Sequence, residues 1–380
     1  MPISLINEAK NEWIVVTGAG GFIGGHLVAE LRRKGFTKIR GVDVKPLVEW
    51  YQRYDDVDNR QNNLKEMQAC YDVCKGARVV FNLAADMGGM WFIERFKAEC
   101  MLSVLISTNM LLAARDSGVD RFFYASSACV YNADKQKNAA VTPLRESDAY
   151  PALCEDGYGW EKLFSERMAR HFMEDYFMTT RVARFHNVYG PQGTYDGGRE
   201  KAPAAICRKI AQAKLTGHHE IDIWGDGEQT RSFMYIDDCL EGILRIMESD
   251  CSVPLNLGSD ELVSINQMVS IVQGIAGIKL KRNYQLDAPQ GVRGRNSDNT
   301  TIKKEIGWAP NITLQAGLEK TYAWIYDELS KPVSERKAAF VEKTDDRYAG
   351  ALGLSALAGL PENIPAMGLF KSDDKAKKFV

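Results

Sequence analysis

Paired cysteines, clustered histidines, net charge and long apolar runs are all scarce in this chain of 380 residues. Its eight cysteines include no Cys-x-x-Cys, and Cys70 and Cys74 stand one helical turn apart, the spacing of a shared face rather than of a redox motif. The expected state is reduced thiols in the cytoplasm. The five histidines show no ligand spacing, and the adjacent His218 and His219 point in different directions, so no metal site is expected. A net charge of −2 lacks the basic field that nucleic acid or an anionic membrane would recognise, and neither is an expected partner. The first residues, Met1-Pro-Ile-Ser-Leu-Ile-Asn-Glu8, carry neither the basic nor the apolar part of a secretory signal. No uninterrupted apolar stretch has the length of a bilayer span.

What the chain does contain is a 45% hydrophobic content arranged as strands alternating with helices. Trp13–Thr17, 38–42, 78–84, 121–126 and 181–184 read as nearly continuous apolar strands, and 22–31, 98–114 and Tyr158–Tyr176 have helical spacing. Strands of that kind, separated by helices, define an α/β fold with a Rossmann-type, doubly wound parallel sheet covered on both faces. After Gly190 the composition turns to Gly, Pro and charge, which marks a crossing into a second, smaller α/β substrate lobe. The expected division is 11–188 for the first lobe, with 231–255 returning to it. The second lobe would comprise 189–230 and 256–330, followed by an extension, in part disordered, at 331–380.

Gly18-Ala-Gly-Gly21-Phe-Ile-Gly24 follows one predicted strand and opens one predicted helix. Glycines there permit the tight turn and let backbone N–H groups approach a pyrophosphate at the helix N-terminus. Asp43 ends the next strand, placed to accept from a ribose 2′-hydroxyl and to repel a 2′-phosphate, which favours NAD over NADP.

Tyr-x-x-x-Lys occurs three times, at Tyr71/Lys75, Tyr131/Lys135 and Tyr158/Lys162. Position separates them, because only Tyr158 begins a long amphipathic helix, with Lys162 on the same face one turn later. Ser127 lies at the C-terminal end of a central strand, where doubly wound sheets bind ligands. A free tyrosine near pKa 10 is only ~0.1% ionised at pH 7, and bringing it to 7 takes ~4 kcal/mol. One cation about 4 Å away supplies roughly that much at an effective dielectric of 20. Ser127, Tyr158 and Lys162 thus form a candidate hydride-transfer set, with Tyr158 as the base.

These residues, with Phe185-His-Asn-Val-Tyr-Gly-Pro191 and Gly307-Trp-x-Pro310, resemble the extended short-chain dehydrogenase/reductase family from about Trp13 to Trp324. The resemblance implies bound NAD, a nucleotide-diphosphate sugar between the lobes, and a homodimer built on two helices per subunit, here 98–114 and Tyr158–Tyr176. Five segments are similar to one subfamily, whose members invert GDP-mannose at C3 and C5. They are Asn82-Leu-Ala-Ala-Asp-Met-Gly-Gly-Met90, Ser126-Ser-Ala-Cys129, Gly197-Gly-Arg-Glu-Lys-Ala-Pro-Ala-Ala205, Trp224-Gly-Asp-Gly-x-Gln-Thr-Arg231 and Gly291-Val-Arg-Gly-Arg-Asn-Ser-Asp298. By that resemblance Cys129 and Lys201 are the acid/base pair beside the redox set. NAD would contact Gly18, Gly20, Gly21, Phe22, Ile23, Gly24, Asp43, Asn63, Ala84, Tyr158 and Lys162. The sugar nucleotide would contact Met87, Gly88, Gly89, Ser127, Cys129, Asn187, Lys201, Lys209, Gln229, Arg231 and Arg293, with Arg231 and Arg293 on the diphosphate. Trp91 departs from the pattern, standing where a small residue is expected, and no acidic residue occupies the neighbourhood of Asn63.

The chemistry is coherent. Oxidation at C4 gives a ketone that acidifies the flanking C–H bonds, and an acid and a base across the ring can then invert C3 and C5. Lys201 must be lowered from its usual range to serve, and Arg199 is the neighbouring cation in the sequence. A 4-epimerase needs no Cys/Lys pair, and a 4,6-dehydratase wants carboxylates where Ala128-Cys129-Val130 has none. A related epimerase with another hexose or base is the second reading. A non-catalytic nucleotide sensor has no need of Ser127, Tyr158 and Lys162 together.

Overall fold

Seven parallel strands lie side by side in the order β11-β6-β5-β4-β1-β2-β3 in a computed structural model that describes residues 10–332. They are β1 (Trp13–Thr17), β2 (Ile39–Asp43), β3 (Asp58–Gln61), β4 (Ala77–Asn82), β5 (Arg121–Ser127), β6 (Thr179–Phe185) and β11 (Leu255–Leu257). The order reverses between β1 and β4, whose register sets Thr17 opposite Asn82. That switch point opens the crevice in which sheets of this kind hold ligands.

Successive residues of the strands feed opposite faces. Ile14, Val16, Phe81, Phe123 and Ala183 pack on α1 (Phe22–Arg33) and on a later helix, Ile236–Glu248, through Leu27, Leu31, Ile243 and Met247. Val15, Val42, Val80, Phe122 and Val182 pack with α2 (Met67–Cys74), α4 (Lys97–Asp116) and α5 (Tyr158–Tyr176), through Val73, Met110, Leu111 and Phe172. A short helix, α3 (Met90–Arg95), precedes α4. This two-sided burial is why the strands read as continuous apolar runs.

Helix α4 is long and apolar enough to cross a membrane by length and composition alone, although no uninterrupted apolar run was expected. Here one side of it joins the core through Ile106, Met110 and Ala114. Charged residues sit at both ends, Lys97 and Glu99 at one and Arg115 and Asp116 at the other.

Most of the remaining described elements build the other side of the crevice, while the later helix, Ile236–Glu248, covers the sheet. They comprise β7 (Val188–Tyr189) paired with β10 (Met234–Tyr235), β8 (Glu220–Trp224) with β13 (Lys281–Gln285), and β9 (Thr230–Ser232) between β12 (Leu262–Ser264) and β14 (Gly294–Arg295). The helices are α6 (Ala202–Thr216), α7 (Ile236–Glu248), α8 (Ile265–Ala276), α9 (Thr300–Ile306) and α10 (Leu314–Ser330). Buried residues of α6, α8 and α10 share a core of Ile206, Ile210, Val269, Val272, Leu318 and Ile325. Both groups belong to one compact unit. The chain from 333 onward, most of the expected extension, lies outside the described residues.

Candidate active site

The glycine turn follows β1 directly. Gly18 has φ +71, and a Cβ on Gly24 would fall 2.1 Å from the Gly18 carbonyl oxygen, while one on Gly20 would strike the Trp50 indole at 2.5 Å. Only glycine fits this cradle. Asp43 stands beside it, accepting from the Gly20 N–H at 3.1 Å through Oδ2 and from the Lys45 N–H at 3.0 Å through Oδ1. A carboxylate has about four lone-pair sites, so capacity remains for a ribose hydroxyl. Phe22 and Ile23 open α1 and are half-buried. Asn63 is exposed just beyond β3, with its Oδ1 accepting from Lys65 N. The cradle, the carboxylate and the helix N-terminus fit an adenine dinucleotide.

Tyr158 and Ser127 meet at the C-terminal end of β5. Ser127 ends β5 and its Oγ accepts from Cys129 N at 3.2 Å, while Tyr158 heads α5 behind Gly157 and shares a hydrogen bond with Ser127. Burial pushes the Tyr158 phenol well above its usual range, with the Ser127 bond opposing. Lys162 is buried too, but Nζ lies 5.5 Å from the Tyr158 ring centroid and 4.9 Å from that of Tyr124, and 3.6 Å from Glu161 Oε2. In the protein alone burial outweighs whatever positive charge reaches the phenol. Glu161 sets an opposite charge beside the lysine, and a cationic nicotinamide ring would add further positive charge.

Cys129 lies on the single turn Ala128–Val130 after β5. Burial and then Glu155 push its thiol up to about 12, against the pull of Arg295. Lys201 precedes α6 at the N-cap, after Gly197 and Gly198 at φ +90 and +85. Burial draws its amine down, and Cys129 is near enough to oppose that shift. The cation that helps lower Lys201 is Arg295, where the sequence had pointed to Arg199. The Arg199 guanidinium instead stacks on the Phe92 ring at 3.9 Å and donates to the Met87 carbonyl at 3.4 Å. Trp91 rests on the same loop, since a Cβ on Gly198 would sit 3.3 Å from its ring.

The substrate-side residues divide into two groups. Gly88 and Gly89 lie against the Lys201 loop, with Gly89 N donating to the Arg199 carbonyl at 3.1 Å. Arg231 is half-buried on β9 and donates to the carbonyls of Gln290 and Val292; desolvation and then Arg295 pull it down to about 10. Gln229 donates to the Trp224 carbonyl and leaves its buried Oε1 without a partner. Asn187, at φ +37, donates to the Ser232 carbonyl. Arg293 and Lys209 have partners of their own: Arg293 is bidentate to Asp226 at 2.8 and 2.9 Å, and Lys209 donates to the Asp222 carbonyl. The arginine that reaches the thiol is Arg295, two residues on, which donates to Cys129 Sγ at 3.7 Å and to Glu155. Neither Arg295 nor Glu155 was legible from the sequence. Among the described residues no cluster suits a metal ion.

A dinucleotide cradle feeding a Ser-Tyr-Lys set at a switch point defines a nicotinamide-dependent enzyme. Residues 14–258 match the NAD dependent epimerase/dehydratase family, and the chain belongs to it. It is 47% identical over 324 residues to the GDP-mannose 3,5-epimerase of Arabidopsis thaliana, covering 85% of this chain and 84% of that protein. It is 48% identical over 319 residues to GDP-mannose 3,5-epimerase 1 of Oryza sativa subsp. japonica, covering 84% and 82%. Among solved structures, UDP-glucose 4-epimerase of Thermotoga maritima with UDP-glucose superposes with a TM-score of 0.76 at 25% identity, covering 83% of this chain and 99% of that one. MoeE5 in complex with UDP-glucuronic acid and NAD gives 0.68 at 28% identity, covering 83% and 98%.

Proposed function

We propose that the protein converts GDP-D-mannose to GDP-L-galactose by inverting C3 and C5, with GDP-L-gulose as the single-inversion product. The observation that carries this reading is the convergence of Cys129 and Lys201 on the Ser127/Tyr158 site, since a simple 4-epimerase needs neither. Ser127 holds the C4 hydroxyl, and Tyr158 Oη receives its proton. The Gly18–Gly24 turn and Asp43 would hold NAD, which when bound would supply the hydride acceptor for C4. Cys129 Sγ and Lys201 Nζ then move protons at the carbons flanking the ketone, one group protonated and the other not. Burial keeps the proton on the thiol of this pair and draws the amine toward its neutral form, the direction that such an exchange requires. Arg231 and Arg293 would bring positive charge for the diphosphate, and Arg295, beside Cys129, fixed positive charge for the developing enolate.

The reading includes a homodimer in the cytosol. Support for the dimer is an apolar surface on α4 and α5, where Met101 (48%), Leu105 (42%) and Phe164 (51%) are exposed. Support for the cytosol is that all eight cysteines are free.

The test is NMR of GDP-mannose incubated with the enzyme in D2O. Deuterium is expected at C3 and C5. Label at neither carbon, with NAD bound, would remove the reading.

A further inference from the structure

Cys129 does not face Lys201 alone. Glu155, in the loop before α5, donates its backbone N–H to the Cys129 carbonyl at 3.0 Å. Arg295 spreads its three nitrogens over one cluster: Nε to Gln136 Oε1 at 2.6 Å, Nη1 to Cys129 Sγ at 3.7 Å, and Nη2 to Glu155 Oε1. The Arg295 and Glu155 side chains are only 6% and 11% exposed. One guanidinium therefore fixes a carboxylate beside a thiol. The second oxygen, Glu155 Oε2, is buried and accepts no hydrogen bond, although the Cys129 side chain lies against this same carboxylate. An unsatisfied buried acceptor costs ~1–3 kcal/mol or more. Because the sulfur accepts from Arg295, its own proton is free to turn toward that oxygen.

We propose that Glu155 is the positioning residue for Cys129, keeping the proton on the sulfur in the resting site and fixing the thiol's orientation toward the sugar. The inference rests on reading Cys129 as half of the acid/base pair. The titratable and charged groups that act on the sulfur are Glu155, Arg295, Tyr158, Lys201 and Arg231. Of these Glu155 alone is negative at neutral pH. Although burial favours the neutral acid, Arg295 holds its carboxyl below the usual range. Without that negative charge, Arg295 acts unopposed on the sulfur and the thiolate forms at lower pH.

The experiment is the rate of alkylation of Cys129 by iodoacetamide in the NAD-loaded enzyme across about pH 7–10, below the parent thiol's midpoint, where the rate at each pH follows the thiolate fraction and a lowered titration displaces the whole curve to lower pH; Cys129→Ala gives the background of the other cysteines. Glu155→Gln keeps the shape and removes the charge. Its thiolate titration is expected to move down by roughly 1–3 pH units. The limb of the kcat pH profile that reports Cys129 is expected to move with it. Glu155→Asp, which retains the charge, is expected to titrate close to the parent. Titration of Glu155→Gln at the parent's pH overturns the proposal, as does an equal shift in Glu155→Asp. Should Glu155→Gln lose NAD, Glu155→Ala takes its place: acetate slowing its alkylation supports the proposal, and no effect of acetate overturns it. A parent enzyme that washes in no deuterium would sink the epimerase reading while leaving this titration readable.

Discussion

Thr17, the last residue of β1, donates its hydroxyl to Asn82 Oδ1 at the end of β4, 2.8 Å away. The Thr17 hydroxyl oxygen in turn accepts from the N–H groups of Leu83 and Ala84 at 3.0 and 3.1 Å, so one buried hydroxyl clips the two strand ends at the switch point. Thr17→Val keeps the volume and strands both amides and Asn82 Oδ1. Each stranded buried group costs ~1–3 kcal/mol, less whatever water recovers. A loss of ~2–4 kcal/mol in denaturant midpoint analysis is expected, with weaker NAD retention on gel filtration. Unchanged stability would show that the clip is incidental.

Gly89 tests the link between the two sides of the crevice. A Cβ there would lie 2.4 Å from the Glu200 carbonyl oxygen, a backbone atom that cannot swing away. Gly89→Ala is expected to push the Lys201 loop outward while leaving the nucleotide turn intact. Displacement of a reacting group by about 1 Å costs ~100-fold in rate. Steady-state assays on GDP-mannose are expected to show a fall of that order, with NAD content equal to the parent's.

Cys129→Ala separates redox chemistry from proton exchange. Ser127, Tyr158 and Lys162 are untouched, so reduced nicotinamide is still expected to form when GDP-mannose is added. Deuterium incorporation at C3 and C5 is expected to fall ~10²–10⁴-fold, the contribution of a positioned acid or base. Wild-type exchange in this variant would remove Cys129 from the pair.

The sequence revealed strands where burial on both faces leaves an unbroken apolar run, as at β1 and β5. It did not reveal β3, whose residues Asp58-Asn-Arg-Gln61 are polar because the strand sits at the sheet edge. Its place is secured by pairing with β2 and by the Arg40–Asp58 ion pair at 2.9 Å, neither of which leaves a periodic signal. The site divides in the same way. Tyr158 and Lys162 are four apart on one helix, a spacing that can be read. Glu155 and Arg295 are 140 residues apart and meet only when β14 comes alongside β9. Arg293 and Arg295 are two apart in Gly291-Val-Arg-Gly-Arg295, so motif similarity alone did not single out the one that reaches Cys129. β14 starts at Gly294, leaving Arg293 outside the strand and paired with Asp226.

The exposed apolar face of α4 and α5 makes a prediction about assembly. Leu105→Glu combined with Phe164→Glu is expected to halve the molar mass seen by light scattering, because like charges would oppose each other across a two-fold interface. The helices keep their buried faces in this variant, so NAD binding is expected to survive. A parent protein of single-chain mass at micromolar concentration would remove the dimer.

His186 sets a pH dependence of stability. It follows β6 fully buried, with Nε2 against Asn256 Oδ1 at 2.9 Å and Nδ1 without a partner. Burial draws its pKa down to about 3, against the Asn256 bond. An unfolded histidine titrates near 6.5, so below that pH the unfolded chain takes up a proton that the fold refuses. The stabilising contribution is therefore complete above about pH 6.5 and is lost progressively as pH falls toward 3, at ~1.4 kcal/mol per pH unit. Between about pH 7 and 5 the parent is expected to lose ~2 kcal/mol more than His186→Gln, which cannot titrate, when urea midpoints are compared at the two pH values. Parallel losses in parent and variant would mean that His186 accepts its proton in the folded state, and the buried, neutral imidazole would have to be abandoned.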